Sequence, residues 1–300
     1  MKVLCFGSMN VDYVYRVDHV VRLGETEKST EVSAGFGGKG LNQSVALARA
    51  GIDVWHAGMV GVDGESMIGK CRENGVHVEY VRMTEGRCGH TIIQVDGDGN
   101  NSILLYGGAN QCMTREFVEE VLSGFESGDL ILLQNEINLL HVIIDKAFEK
   151  GMQVVLNPSP YNETVEECNL SKVSYFLLNE IEGEQMTGKK EPDEILRVMR
   201  ERYPSAKIVL TLGKDGSLYS DVNGTLRQKA YPVKAVDTTA AGDTFTGYFL
   251  YSVATGMTPA EGMKLASMAS ALTVTSPGAM DSIPTLKEVL EHRWEEEKEC

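Results

Sequence analysis

The stretch Asp237 to Phe245, DTTAAGDTF, sets two alanines and a glycine directly in front of an aspartate. Phe245, Tyr248, Phe249 and Ser252 then recur at helical spacing with no proline before Pro259, which predicts a helix with Asp243 in or beside its first turn. The first amides of a helix lack partners and lie at its positive end, so a phosphoryl group can bind there. Ala240, Ala241 and Gly242 leave room for its approach. Asp243 can take a proton from a hydroxyl while the amides stabilise charge on the phosphoryl oxygens. An ordinary N-capping aspartate behind a small-residue turn is the alternative reading.

Other polar residues end apolar segments. Asn10 and Asp12 lie just past Val3 to Phe6, where open α/β sheets bind ligands, and a carboxylate there can accept from two neighbouring hydroxyls; a surface turn would look similar. Gln134-Asn135-Glu136 ends another segment. Asn179 and Glu182, in N-x-x-E spacing, end a third, and magnesium can be held through such groups because it keeps most of its waters. Thr211 to Gly216 reads as a strand and a glycine turn that lets a nucleotide approach, or simply as a tight turn into a strand from Ser217 to Tyr219. GFGGKG at Gly35 to Gly40 contains G-x-G-x-x-G, but it follows an alternating segment rather than a first strand, and Gly40 stands where a P-loop needs serine or threonine. What remains is a glycine turn carrying Lys39 and Asn42 into a helix from Asn42 to Ala50.

These residues need a frame. Val54 to Val60, Leu130 to Gln134, Met152 to Leu156, Val173 to Leu178 and Ile208 to Leu212 are short apolar runs with helical patterns between most of them, which implies a mainly parallel sheet covered on both faces. Residues 242–297 read as helices only. Residues 11–34 and 87–106 alternate apolar with polar side chains, the second around the hairpin signal DGDGN, and are expected to form antiparallel strands outside the main sheet. Such a small sheet would form a lid whose apolar face covers the site or a partner's lid. The closing EHRWEEEKEC reads as a charged helix end.

A formal charge of -15 over 300 residues, without a basic stripe, argues against nucleic-acid binding. The apolar run in MKVLCFGSMN is too short for a signal peptide and no stretch approaches a membrane span, so a cytoplasmic protein is expected. Cys5, Cys71, Cys88, Cys112, Cys168 and Cys300 include no C-x-x-C pair and read as reduced thiols. The scattered histidines argue against structural zinc.

Together, GGKGLNQS (with Asn42, Ser44, Gly51 and Gly61) and DTTAAGDTFTG resemble the two signatures of the ribokinase-like sugar kinases of the PfkB family, and the resemblance covers essentially the whole chain. Tyr248 departs from the second signature, where a small residue is usual, with helix packing the expected consequence. The resemblance implies a three-layer α/β/α sandwich with a mainly parallel central sheet: residues 1–10, 36–86 and 107–300 form the α/β domain, and 11–35 and 87–106 form a β-sheet lid. It implies that Asp243 is the base and that Ala240, Ala241 and Gly242 form the anion hole. Asn10, Asp12, Gly38, Lys39, Asn42 and Glu136 would hold the sugar. Asn179, Thr211, Gly213, Gly216 and Ser267 would contact ATP, and Glu182 would organise Mg2+. Asp237, Thr239, Thr273, Ser276, Gly278 and Ser282 would form two loops for a monovalent cation, usually K+, although Ser276-Pro277 differs from the basic residues often found there.

The implied reaction is ATP-dependent phosphorylation of the terminal hydroxyl of a small sugar, D-ribose first, by a homodimer joined through its lids. Cys88 and His90 on a lid strand would lie near where specificity is set and could admit a deoxysugar, a hexose derivative, inositol or a nucleoside. A non-catalytic sugar-binding module would be expected to lose Asp243 or Gly242, and both are present. A nicotinamide oxidoreductase would need the glycine loop after the first strand.

Overall fold

The computed structural model describes residues 1–294, so residues 295–300 of the expected charged helix end lie outside it. In order come β1 (Val3–Phe6), β2 (Asn10–Arg16), β3 (Glu31–Gly37), α1 (Lys39–Ala50), β4 (Val54–Val60), α2 (Glu65–Glu73), β5 (His77–Met83), β6 (Gly89–Val95) and β7 (Asn101–Tyr106). Next are α3 (Arg115–Ser123), β8 (Leu130–Gln134), α4 (Leu140–Glu149), β9 (Gln153–Asn157), α5 (Glu163–Glu166), β10 (Tyr175–Asn179), α6 (Glu180–Thr187) and α7 (Pro192–Arg202). The described chain closes with β11 (Lys207–Thr211), β12 (Ser217–Asp221), β13 (Gly224–Gln228), α8 (Ala241–Thr255), α9 (Pro259–Thr273) and α10 (Leu286–Glu291).

Nine strands form the main sheet in the order β13-β12-β11-β10-β9-β8-β1-β4-β5. The run from β11 to β5 is parallel, and β12 and β13 add an antiparallel edge. Alternation along each strand divides the core. Leu4 and Phe6 join Phe117 of α3, Ile143 of α4 and Leu196 of α7 on one face. Val3 and Cys5 join Leu41 of α1, Met67 of α2, Phe249 of α8 and Met263 of α9 on the other. This is the expected α/β/α sandwich. Each such fully buried aliphatic or aromatic side chain contributes roughly 1.5–3 kcal/mol. Val173 is not the start of a strand as its apolar character suggested: it closes the 3-10 turn Leu170–Lys172, and β10 begins two residues later. Among the described residues no helix is long and apolar enough to cross a membrane.

The second sheet has the order β3-β2-β6-β7. Its outer pairs are antiparallel, and Asp96 to Asn100 turn the β6–β7 hairpin. Its central pair, β2 with β6, is parallel, which corrects the expectation of antiparallel strands throughout. The cause is topological: β2 continues from β1 and β6 follows β5, and these two strands run in the same direction in the main sheet.

The order of strands reverses at β1, with β4 on one side and β8 on the other, and open α/β sheets have a crevice at such a point. Helices α1 and α8 both begin there. They pack closely because a Cβ on Gly247 would lie 2.4 Å from Ala46 Cβ and 3.0 Å from the main chain of Ala46 and Leu47. Gly247→Ala should therefore push α8 from α1 and lower the unfolding free energy by about 1–3 kcal/mol. Denaturant unfolding checks this, and an unchanged midpoint would mean that the helices have slack.

Candidate active site

Helix α8 opens on Ala240, whose φ of 61° and ψ of 5° are left-handed, and no side chain caps the helix. For a non-glycine residue that conformation costs roughly 1–2 kcal/mol. The sharp turn leaves the first helical amides without a capping side chain, and a Cβ on Gly242 would meet nothing within 4 Å. Asp243 is thus not the cap of its helix. Its Oδ2 accepts from Asn42 Nδ2 at 2.9 Å and its Oδ1 from Gln43 Nε2 at 2.8 Å, both on α1. Burial pushes its carboxyl above the ordinary range; the Lys39 charge and the two amides oppose that, and Glu136 adds to it.

The rest of the polar group gathers at the ends of β1 and β8. Gly40 is where α1 meets the end of β1: a Cβ there would lie 2.5 Å from Ser8 N. Gly38 is the N-cap of α1. Glu136 receives Ser8 Oγ at 2.5 Å on Oε2, Lys39 N at 3.1 Å on the same oxygen, and Lys39 Nζ at 3.1 Å on Oε1. Burial alone would lower the Lys39 pKa, but the charges of Glu136 and Asp243 together carry it above its usual value. Asp12 accepts from Thr91 Oγ1 at 2.5 Å, and burial raises its carboxyl. Asn10 is buried and accepts from Asn110 Nδ2 at 2.7 Å. Asn42 Oδ1 is buried without a partner. Buried polar atoms in folded proteins are rarely unpaired, so this acceptor marks a place for a ligand's donor.

A cavity of about 180 Å³ is lined by Lys39, Asn179, Glu182, Gly242 and Asp243, among others. It borders a second, of about 510 Å³, lined by Thr211, Gly213, Gly216, Ser267 and Phe245 among others. Four of the five residues expected at a nucleotide thus share one cleft, and the fifth, Asn179, lines the smaller cavity beside it. Asn179 and Glu182 form a capping box on α6. Glu182 Oε2 accepts from Asn179 N at 2.8 Å and Oε1 from Asn179 Nδ2 at 3.2 Å, while Asn179 Oδ1 accepts from Ile181 N and Glu182 N. The N-x-x-E spacing is therefore a helix start, yet each Glu182 oxygen keeps a lone pair beside the cavity. One carboxylate of this kind suits magnesium held through water and phosphate oxygens, not a protein cage.

Asp237 ties two loops together: Oδ1 accepts from Thr239 N at 2.9 Å and Thr239 Oγ1 at 2.6 Å, and Oδ2 accepts from Gly278 N at 2.9 Å. These contacts hold its carboxyl below the usual range although burial acts the other way. The Thr273 hydroxyl instead sits between α8 and α9, on Thr244 Oγ1 at 2.9 Å and Ala269 O at 3.0 Å, and Ser282 Oγ donates to Ala279 O at 2.8 Å. A cation between these loops would draw on Asp237 and on main-chain carbonyls.

Sequence reasoning missed Ser8, Gln43, Thr91 and Asn110, and passed over the side chain of Gln134. Gln43 stands within GGKGLNQS beside Asn42, which is the one local signal for it. It misjudged Cys88 and His90. The ring of His90 packs against Tyr13 and Tyr106 on the face of the lid opposite Asp12, because His90 pairs with Val11 while Thr91 pairs with Asp12. Cys88 is buried and accepts from Gly61 N at 3.2 Å. Tyr248 acts on packing as expected: it is buried in α8 and its hydroxyl donates to Pro284 O at 2.8 Å.

A model of the pfkB family of carbohydrate kinases matches residues 1–286. The chain is 34% identical to the ribokinase of Staphylococcus aureus over 96% of its own length and 98% of that protein's. Its fold is similar to the ribokinase of Cryptococcus neoformans solved in complex with ADP, with a TM-score of 0.86, 30% identity and coverage of 97% and 99% of the two chains. It is also similar to the Arabidopsis thaliana ribokinase complexed with ribose and ATP, with a TM-score of 0.83, 27% identity and coverage of 97% of each chain.

The Lys39–Glu136 pair yields a prediction independent of these likenesses. Glu136→Gln takes the nearest counter-charge from a partly exposed ammonium that keeps Asp243 as a second one, and should lower the unfolding free energy by no more than about 1 kcal/mol. An unchanged denaturation midpoint would mean that water already screens the pair.

Proposed function

The chain belongs to the pfkB family of carbohydrate kinases, as an ATP-dependent sugar kinase, and we propose that its acceptor is D-ribose, phosphorylated on the terminal hydroxyl to ribose 5-phosphate. The observation that carries this reading is one cavity bounded by Asp243, by the uncapped start of α8 and by Asn179. It lies next to the Asn10, Asp12, Lys39, Asn42 and Glu136 set.

In this reading Asp12, Glu136 and the unpaired Asn42 Oδ1 accept from sugar hydroxyls, while Lys39 and the Asn10 amide donate to sugar oxygens. The terminal hydroxyl is directed at Asp243. As its oxygen attacks the γ-phosphorus in line, Asp243 takes the proton, the new O–P bond forms, and the bond to the β–γ bridging oxygen breaks to leave ADP. The amides of Gly242 and Asp243 face the charge on the transferring group, while Ala241 N donates to Thr238 O at 3.3 Å within the turn. Thr211, Gly213, Gly216 and Ser267 hold the nucleotide. Glu182 would hold Mg2+ through water, and the ion would neutralise phosphate charge. Asp237, Thr239, Ser276 and Gly278, with carbonyls near Thr273 and Ser282, would hold K+ behind the start of α8. The lid excludes water, and its outer face, with Val32, Leu104 and Tyr106 exposed, is proposed to pair two copies of the chain. The five described cysteines are free thiols, which fits a reducing cytoplasm.

Asp243→Asn should lower kcat by about 10²-fold or more with ATP affinity retained; near-normal turnover would overturn the base assignment. Because burial raises the Asp243 pKa, the rate should rise with pH through an acid limb above the ordinary carboxylate range, and fall below it as the base is protonated. ADP release measured across ribose, deoxyribose, fructose, inositol and nucleosides tests the acceptor. Ribose should lead in kcat/KM, and another compound leading would move the assignment to that compound.

A further inference from the structure

Asp243 is reached from behind by two side-chain amides in series. Gln134 Nε2, at the end of β8, donates to Gln43 Oε1 at 2.6 Å, and Gln43 Nε2 donates to Asp243 Oδ1 at 2.8 Å. The series has one direction. With its oxygen engaged by Gln134, the Gln43 amide can turn only its N–H groups to the carboxylate. Gln134 Nε2 also lies 3.6 Å from Cys5 Sγ, and its Oε1 is buried without a hydrogen-bond partner in space left open by Gly7, where a Cβ would come within 2.2 Å of it. Both glutamines are fully buried.

From this geometry we propose that Gln43, which accepts from Gln134, is the positioning residue of the catalytic base: it fixes the Asp243 carboxylate in one orientation and favours its charged form in a buried site. The inference rests on Asp243 being the base. Asn42 alone would leave the carboxylate free to turn about its Cβ–Cγ bond, since it holds only Oδ2. A second amide on Oδ1 stops that rotation and favours the charged form, because each N–H donor is lost or weakened when the carboxylate gains a proton. It also offsets part of the rise that burial imposes. The charged and titratable groups facing Asp243 are Lys39 from α1, Glu136 beyond β8, Asp12 from β2 and Cys5 from β1, with Glu182 of α6 on the same cavity. Of these only Lys39 favours the carboxylate, so the amides supply what one lysine leaves short.

The test is the pH dependence of ATP-dependent ribose phosphorylation from pH 5 to 9 in Gln43→Leu, Gln134→Leu and the double variant, beside Asp243→Asn. Gln43→Leu should lose about tenfold in kcat at pH 7, the kinetic equivalent of roughly one hydrogen bond, with the ribose KM little changed and the acid limb moved to higher pH. Gln134→Leu should move the limb the same way by less. The double variant should be no worse than Gln43→Leu, because the outer amide acts only through the inner one. Should Gln43→Leu fail to fold, the limb of Gln134→Leu carries the test. An acid limb that stays in place, or losses that multiply in the double variant, would overturn the proposal. Asp243→Asn with near-normal turnover would instead remove its premise, whatever the glutamine variants do.

Discussion

A carboxylate that must stay charged although it is buried is the constraint on which the site is built. Asp243 is buried, and burial favours its neutral form. Its counterweights come from elsewhere in the chain. Asn42, Gln43 and Lys39 lie on one helix about two hundred positions earlier, and α1 can deliver all three only if its first turn meets the first turn of α8. The small residues follow from that demand. Gly247 lets the helix barrels touch, and Gly40 lets α1 reach the end of β1. In this molecule the electrostatics of one side chain dictate the steric requirements of positions that never touch a ligand.

Three carboxylates, Asp12, Glu136 and Asp243, share this space with a single ammonium. Such a surplus of acceptors is unfavourable in an empty, buried site, and it is matched by a molecule that brings hydroxyl donors. The neighbouring cleft has the opposite character, with glycine turns and a helix start that favour an anion. The sheet's reversal between β1 and β8 brings the two together.

How much of this could be read beforehand depended on sequence range. The helix starting near Asp243 and the short apolar strands are local patterns, and each appeared within a residue or two of its expected place; the expected glycine turn shrank to Gly38, because β3 runs on to Gly37 and α1 begins at Lys39, three residues early. Asp243 was legible because helix start, small residues and acid lie within one turn. Gln43 was not, since its meaning depends on a contact two hundred residues away and its neighbours on α1 are as polar as it is. His90 was misread for a related reason. Alternation reveals that a strand has two faces, but the face turned inward depends on register with β2, and that pairing was parallel where hairpins suggested otherwise. Val173 failed differently: apolar character records burial, and a 3-10 turn can bury a valine as well as a strand can.

The lid strand β2 starts at Asn10, immediately beyond the segment Gly7 to Met9 that leaves the main sheet. Asp12 therefore stands on the small sheet, whereas Lys39 opens α1 and Glu136 follows β8 of the large one. In the proposed reading an acceptor held by all three bridges the two sheets, and its length and the spacing of its hydroxyls are matched against the gap between them. Recognition of this kind is a form of measurement, with one jaw of the gauge on each sheet.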